Sequence, residues 1–452
     1  MPLTRLSILL CLAALLVPAG AAAALGGEEP FFPRAGNRGY DVQRYDVSLA
    51  YRPGPNHIKA TELIQAQATQ GLRTFSLDLY GLRVRSVQVA GRPARFERGA
   101  GKLRITVAEP IAAGAEFRIA LRYEGRPRPL IGADGAPQGW QRTDDGAVTM
   151  SEPLGTATWL ACNNVPWDKA AFGISVRVPR PLVAASNGRL KSFDASRRSH
   201  STYRWEETQP MSPYLAVVGI GRGKLFKHEV AGRPSWSFVD PRFARLSRSA
   251  LRDLPEIVRF LSRAIGPYPF ETAGSIVDFA PSVGYALETQ SRPIYTEPPV
   301  RGLIVHETAH QWFGDSVGLK RWPDIWLNEG FATWAQWYYA EEHDGPSAAS
   351  IFRELRQTPA SRERFWNPPP GRPGTPKNLF DPTIYVRGAM TLQALRQEIG
   401  TKPMLQVLRR WVAEHRHGSA DTGEFIALAE EVSGKDLDPL FQRWLFQRGK
   451  PR

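Results

Sequence analysis

Cysteine is almost missing: the 452 residues hold two, Cys11 and Cys162. Cys11 lies in an N-terminal apolar run that reads as a removable leader, so the mature chain keeps one thiol and can form no intramolecular disulfide. The fold must be held by its core and by any metal it binds. Long apolar runs are also missing beyond the leader, which excludes a transmembrane anchor, since spanning takes about 20 apolar residues. No internal repeat is present. Charged residues make up only 23% of the chain against 42% hydrophobic and 10% aromatic, which excludes a disordered or low-complexity protein. Acidic residues are in deficit, 44 against 58 Lys and Arg, for a formal charge of +14. The arginines are scattered rather than clustered with aromatics, so the charge reads as a solvated basic surface and no nucleic-acid partner is expected.

What is present begins with the leader. Arg5 precedes an apolar run over 6–17, and Pro18 with small residues through Ala24 supplies a cleavage region. Removal of residues 1–24 and an exported protein, periplasmic or extracellular, are expected. The length suggests two to four domains. From Tyr45 to about Gly221 apolar residues recur with period two, as in Tyr45, Val47, Leu49 and Tyr51 or Phe117, Ile119, Leu121 and Tyr123, and Pro/Gly turns separate the runs. This predicts strands, including one in the run 214–220, and an antiparallel β domain over 25–225. Beyond Pro241 the period becomes helical. Helices are predicted at 251–261, 300–313, 324–339, 384–399, 404–414 and 422–432, with one or two strands in 274–295 and a surface loop over 367–376. The fold class is α+β multidomain: a β domain followed by a mainly helical domain with a small sheet, over 226–452.

The chemistry lies in His306-Glu-Thr-Ala-His310. Histidines four apart project from one helix face a turn apart, a separation that suits one tetrahedral Zn²⁺, and Glu307 between them is directed to the open side of the metal. Nineteen positions beyond His310, Glu329 stands in Trp326-Leu-Asn-Glu-Gly-Phe331, on the next predicted helix. Two histidines and a carboxylate leave a fourth position for water, the pattern of a catalytic rather than a structural zinc site.

With that spacing, the chain resembles the gluzincin metallopeptidases. His310-Gln-Trp-Phe-Gly314 and Trp326-Leu-Asn-Glu-Gly-Phe331 are similar to the alanyl-aminopeptidase and leukotriene-hydrolase family, here as a short, two-domain, bacterial-like member. Ser151-Glu-Pro, the segment from Trp159 to Phe172, Pro210-Met-Ser-Pro-Tyr-Leu215 and Pro267-Tyr-Pro-Phe270 agree with it in order along the chain. The resemblance implies a thermolysin-like catalytic domain and a zinc-dependent aminopeptidase that removes N-terminal residues from peptides with a free amine. It implies one Zn²⁺ on His306, His310 and Glu329, with Glu307 as general base and Tyr385 stabilising the oxyanion. It places Glu152 and Glu288 on the substrate's ammonium. Glu152, Glu288 and Tyr385 have no such weight from the residues alone.

Some positions depart from the family pattern. Tyr285-Ala-Leu-Glu-Thr289 stands where the family has Gly-Ala-Met-Glu-Asn, Met150 where Gln is common, and Gln336 where a Glu commonly orients a zinc histidine. The shape of the first side-chain pocket therefore cannot be inherited, and weaker zinc retention is expected. The sequence ends near the end of the family's catalytic domain, so a more open cleft is expected. A scaffold role without catalysis is set against the intact ligand set. An epoxide hydrolase, which shares this zinc site, would need an apolar tunnel that sequence does not reveal.

Overall fold

The computed structural model describes residues 29–451, and the expected leader lies outside the described residues. Tyr40–Arg52 is the central strand of an eight-stranded sheet, with Tyr45, Val47, Leu49 and Tyr51 buried as their alternation requires. It pairs antiparallel with His57–Ala68 and parallel with Ala170–Pro179, so the sheet is mixed rather than purely antiparallel. The parallel pairing is possible because more than a hundred residues, including other strands, form the crossover. A three-stranded sheet built on Leu72–Asp78 and Lys102–Ile111 lies in the same domain. A five-stranded sheet includes Leu130–Ile131, Pro137–Arg142, Ala147–Met150, Val183–Ser186 and Val218–Gly221. The run predicted as a strand over 214–220 is a 3₁₀ turn, Pro213–Leu215, followed by the strand Val218–Gly221. Pro213 fixes φ at the start of that turn and delays the strand.

The next strands, Lys224–Val230 and Arg233–Val239, join Ile276–Val277 and Ile294–Tyr295 in a small sheet of the second domain. The helices that matter for the site are Arg301–Ala309, Trp326–Glu341 and Pro382–Ile399. The first is shorter than the predicted 300–313. Beyond Ala309 the backbone closes wider turns, with the Asp315 N–H donating to His310 O and Ser316 N–H to Gln311 O, and Gly314 takes a φ of 124° that favours glycine. The 367–376 segment is irregular as expected, but Pro369, Pro370 and Pro373 are buried and Gly371 N–H donates to Leu445 O, so it is only partly a surface loop. Among the described residues no helix is long and apolar enough to cross a membrane.

Two fully buried arginines join these pieces without a disulfide. Arg387 donates to the carbonyls of Trp366, Arg443, Trp444, Gln447 and Gly449, fastening the C-terminal segment to the Pro382–Ile399 helix. Arg292 donates to the carbonyls of Trp236, Ser186 and Gly188 and lies over the Trp205 ring, fastening the segment after Glu288 to the β domain. A buried guanidinium is tolerated because its planar fork of donors is satisfied.

The helices Trp326–Glu341 and Pro382–Ile399 cross where Gly330 meets Gly388. A Cβ at Gly388 would stand 2.9 Å from the Gly330 Cα, so only glycines let the backbones come this close. Gly330 adjoins Glu329, and Gly388 is one turn from Tyr385. Gly388→Ala is expected to push the helices apart, costing about 1–3 kcal/mol of stability. Thermal unfolding would show this as a lowered Tm, accompanied by weakened zinc retention.

Candidate active site

His306 and His310 lie one turn apart on the face of their helix that meets the Trp326–Glu341 helix, and both are buried. Their Nε2 atoms stand 3.2 and 3.4 Å from the same Glu329 Oε2. The other ring nitrogens face acceptors: His306 Nδ1 is 2.9 Å from Gln336 Oε1, and His310 Nδ1 is 3.0 Å from Phe313 O. Gln336 is oriented by its own Nε2, which donates to Gly302 O at 2.8 Å, so its oxygen must be the atom turned to the histidine. Both Nδ1 atoms therefore carry the proton and both Nε2 lone pairs point inward. A tetrahedral ion bound at about 2.0–2.1 Å spaces its ligand atoms about 3.3–3.4 Å apart. The donor set and its spacing fit zinc.

Around this trio the chain buries more carboxylate. Glu288 and Glu307 come with His310 into one set of possible ligand atoms lying within 4.8 Å of one another, and Glu152 and Glu288 come with Glu329 into another. Glu152 enters from the β domain, Glu288 from the 285–292 segment, and Glu307 and Glu329 from the two helices. Burial pushes the Glu152 carboxyl well above its ordinary value, and Glu288 and Glu329 push it further. Burial also raises Glu307, and it raises Glu288 to about 7 although His310 works the other way. Glu329 differs: burial opposes its charge, but His310 and His306 outweigh burial and hold it down at about 2. Glu152 Oε1 and Glu288 Oε1 are buried with no hydrogen-bond partner. Unpaired buried carboxylate oxygens call for a cation or for donors.

These groups line a cavity of about 660 Å³. Tyr385 lines it too, its ring 6.1 Å from that of His306 at an angle of 20°. Burial raises the Tyr385 phenol well above its ordinary value, with Glu329 and Glu152 adding to the effect, so the group stays protonated and remains a donor. All seven residues singled out from sequence, His306, Glu307, His310, Glu329, Glu152, Glu288 and Tyr385, thus line one cavity. Met150 is buried and does not line it, whereas Gln138 does. Tyr285 lines the wall and donates its phenol to Pro137 O at 2.8 Å.

Sequence reasoning missed the supports. Gln311 donates to Glu288 O at 2.9 Å and accepts from Ser291 N–H at 2.7 Å, which fixes the Glu288 segment to the residue after His310. Its position inside the His310–Gly314 motif was the available signal. Lys169 is half-buried and donates to Asp315 O and Ser316 O, tying the Trp159–Phe172 segment of the β domain to the turn below His310. Burial lowers its ammonium to about 7.

Comparison with known proteins gives a consistent result. Residues 42–215 match the peptidase M1 N-terminal domain, and residues 285–444 match the peptidase family M1 domain. A leucyl aminopeptidase of Saccharolobus solfataricus is 25% identical, over 91% of this chain and 54% of its own length. A probable aminopeptidase 1 of Sulfurisphaera tokodaii is 24% identical, over 91% of this chain and 53% of its own. The chain thus spans about half the length of the curated relatives it matches. The crystal structure of an M1 zinc metallopeptidase from Deinococcus radiodurans is similar with a TM-score of 0.85 and 28% identity, covering 94% of this chain and 98% of that one. A mutant of that enzyme bound to a Tyr-Ser-Ala substrate gives 0.86 and 28%, covering 94% and 99%.

The Gln336 amide leads to a prediction. Glu at this position would still accept from His306 and would raise its basicity, but could not donate to Gly302 O. Gln336→Glu is expected to slow zinc loss to a chelator while lowering Tm by a few degrees, about 1 kcal/mol for one hydrogen bond. Equal rates of zinc loss in the two proteins would contradict the first part.

Proposed function

Because this chain belongs to peptidase family M1 and has the two-domain architecture of its zinc metallopeptidases, we propose that it is a zinc-dependent aminopeptidase that removes N-terminal residues from peptides. The observation that carries this reading is the pair Glu152 and Glu288: two buried carboxylates from two domains, each with an unpaired oxygen, beside the two histidines and Glu329. An ammonium held between them sets the first peptide bond at a fixed distance from the ligand trio, and this counting from the N-terminus separates an exopeptidase from an endopeptidase.

Zinc held by His306, His310 and Glu329 supplies Lewis-acid polarisation of the scissile carbonyl and a more acidic water. Glu307 is the group placed to take the proton of the attacking water and return it to the departing amine. Its raised affinity for a proton, caused first by burial, suits a carboxylate that must hold that proton between the two events. Tyr385 donates its phenolic hydrogen to the oxygen on which negative charge develops, and as a neutral donor it brings no charge into the ground state. Export belongs to the same reading and is supported by the basic start, apolar run and small residues ahead of Ala24. N-terminal sequencing of the mature protein tests that part.

The activity test is a panel of amino-acid arylamides together with N-acetylated counterparts, with chelator and with zinc restored. Cleavage is expected only for free amines and only with zinc. Glu307→Gln should remain folded with full zinc content and lose about 10²–10⁴-fold in kcat. Near-normal turnover in that variant would remove Glu307 from its role. Glu288→Gln should raise KM for free-amine substrates, since a neutral amide cannot balance the ammonium.

A further inference from the structure

The cavity wall on the β-domain side is a hairpin, Leu130–Ile131 paired with Pro137–Arg142, whose turn carries Asp134 to the mouth. Asp134 Oδ1 accepts from Ala136 N–H at 3.0 Å, so the carboxylate is fixed by its own turn. Just inside the mouth, Tyr285 donates to Pro137 O, at the start of the second strand of this hairpin. Tyr285 also opens the segment that presents Glu288 three residues later. The phenol is pushed up first by burial and then by Glu152, Asp134 and Glu288, the three carboxyl groups that face it. The Tyr285 ring, the carboxylates proposed to hold the ammonium and Asp134 thus line one cavity, and the ring is hydrogen-bonded through its phenol to the hairpin whose turn carries Asp134.

The lining is also one-sided in charge. It includes Asp134, Glu152, Glu288, Glu297, Glu307 and Glu329 but no lysine or arginine, in a chain with 58 basic and 44 acidic residues. Four of the six are placed by the proposed chemistry. Asp134 and Glu297 are not, both are exposed, and among the described residues neither pairs with a cation in the cavity. Asp134 is the one on the hairpin to which Tyr285 is hydrogen-bonded.

We propose that the cleft selects peptides whose first residue is basic, with the Tyr285 ring as the surface along which the long side chain lies and Asp134 as the carboxylate that meets its cationic end. This rests on the aminopeptidase reading. A guanidinium or ammonium stem lies well against an aromatic face, and its charge is favoured by a carboxylate at the far end. Because the first residue's ammonium is already held, the side chain's reach to Asp134 is intramolecular and adds selectivity without a new loss of rigid-body freedom.

The test measures kcat/KM of the zinc-loaded full chain on arginine and lysine arylamides against methionine and leucine arylamides, at low and high salt. Basic first residues are expected to be favoured, with the preference shrinking as salt screens an exposed pair. Asp134→Asn, whose Oδ1 can still accept from Ala136 N–H, should lower the Arg:Leu ratio about fivefold, the scale of an exposed ion pair. Asp134→Lys should lower it further. An Arg:Leu ratio that is the same in the parent and both variants would overturn the proposal while leaving the aminopeptidase reading intact. Absence of cleavage of every free-amine arylamide would overturn that reading and the proposal with it.

Discussion

The molecule is organised around buried negative charge that its own side chains do not neutralise. Removing a carboxylate from water costs several kcal/mol unless a partner meets it, yet Glu152, Glu288, Glu307 and Glu329 are all buried around two histidines. The contrast between Glu329, held near 2, and Glu288, lifted to about 7, shows how the site divides its work. Glu329 faces both imidazoles and keeps its charge. Glu152 faces mainly other carboxylates, and Glu288 is raised by burial and Glu329 against the pull of His310, so their ionised forms become favourable when a cation arrives. A site of this kind is stable to its own repulsion only if the walls cannot relax apart, and the packing of the rest of the chain supplies that rigidity.

That rigidity comes from close backbone approach and from polar groups in pairs. The Gly330–Gly388 crossing brings Glu329 and Tyr385 toward the same space. Gln311 holds the Glu288 segment by both ends of its amide, and Gln336 does the same between His306 and Gly302. An amide at 336 is therefore not simply a neutral copy of a carboxylate. It makes a bond to the preceding helix that an anion could not make, and gives up some polarisation of the histidine in return.

The zinc trio was legible from sequence because helical periodicity by itself places His306 and His310 on one face, and the spacing to Glu329 fits a second helix. Glu152 and Glu288 were legible only through resemblance, since no local pattern links residues that meet from different domains. The strand His57–Ala68 escaped notice because its inward positions include small alanines and the buried Glu62, which blur the alternation. Tyr123 OH and Ala161 N–H both donate to Glu62 Oε2, a tertiary compensation that no window of sequence contains. The helix after Val300 was read too long because Trp312 and Phe313 continue the apolar pattern, and the wider turns that end it are closed by backbone groups. Asp134 carried no signal, being an ordinary turn residue until the fold places it on the same cavity as Tyr285.

The arginines at 292 and 387 have an evolutionary consequence. Each grips carbonyl oxygens, which every residue type provides, instead of particular carboxylates. Positions such as 443 and 447 can therefore change identity while the clamp persists, provided the path of the main chain is kept. A sequence can drift in its C-terminal segment while the helix bearing Tyr385 stays in register with His306, His310 and Glu329.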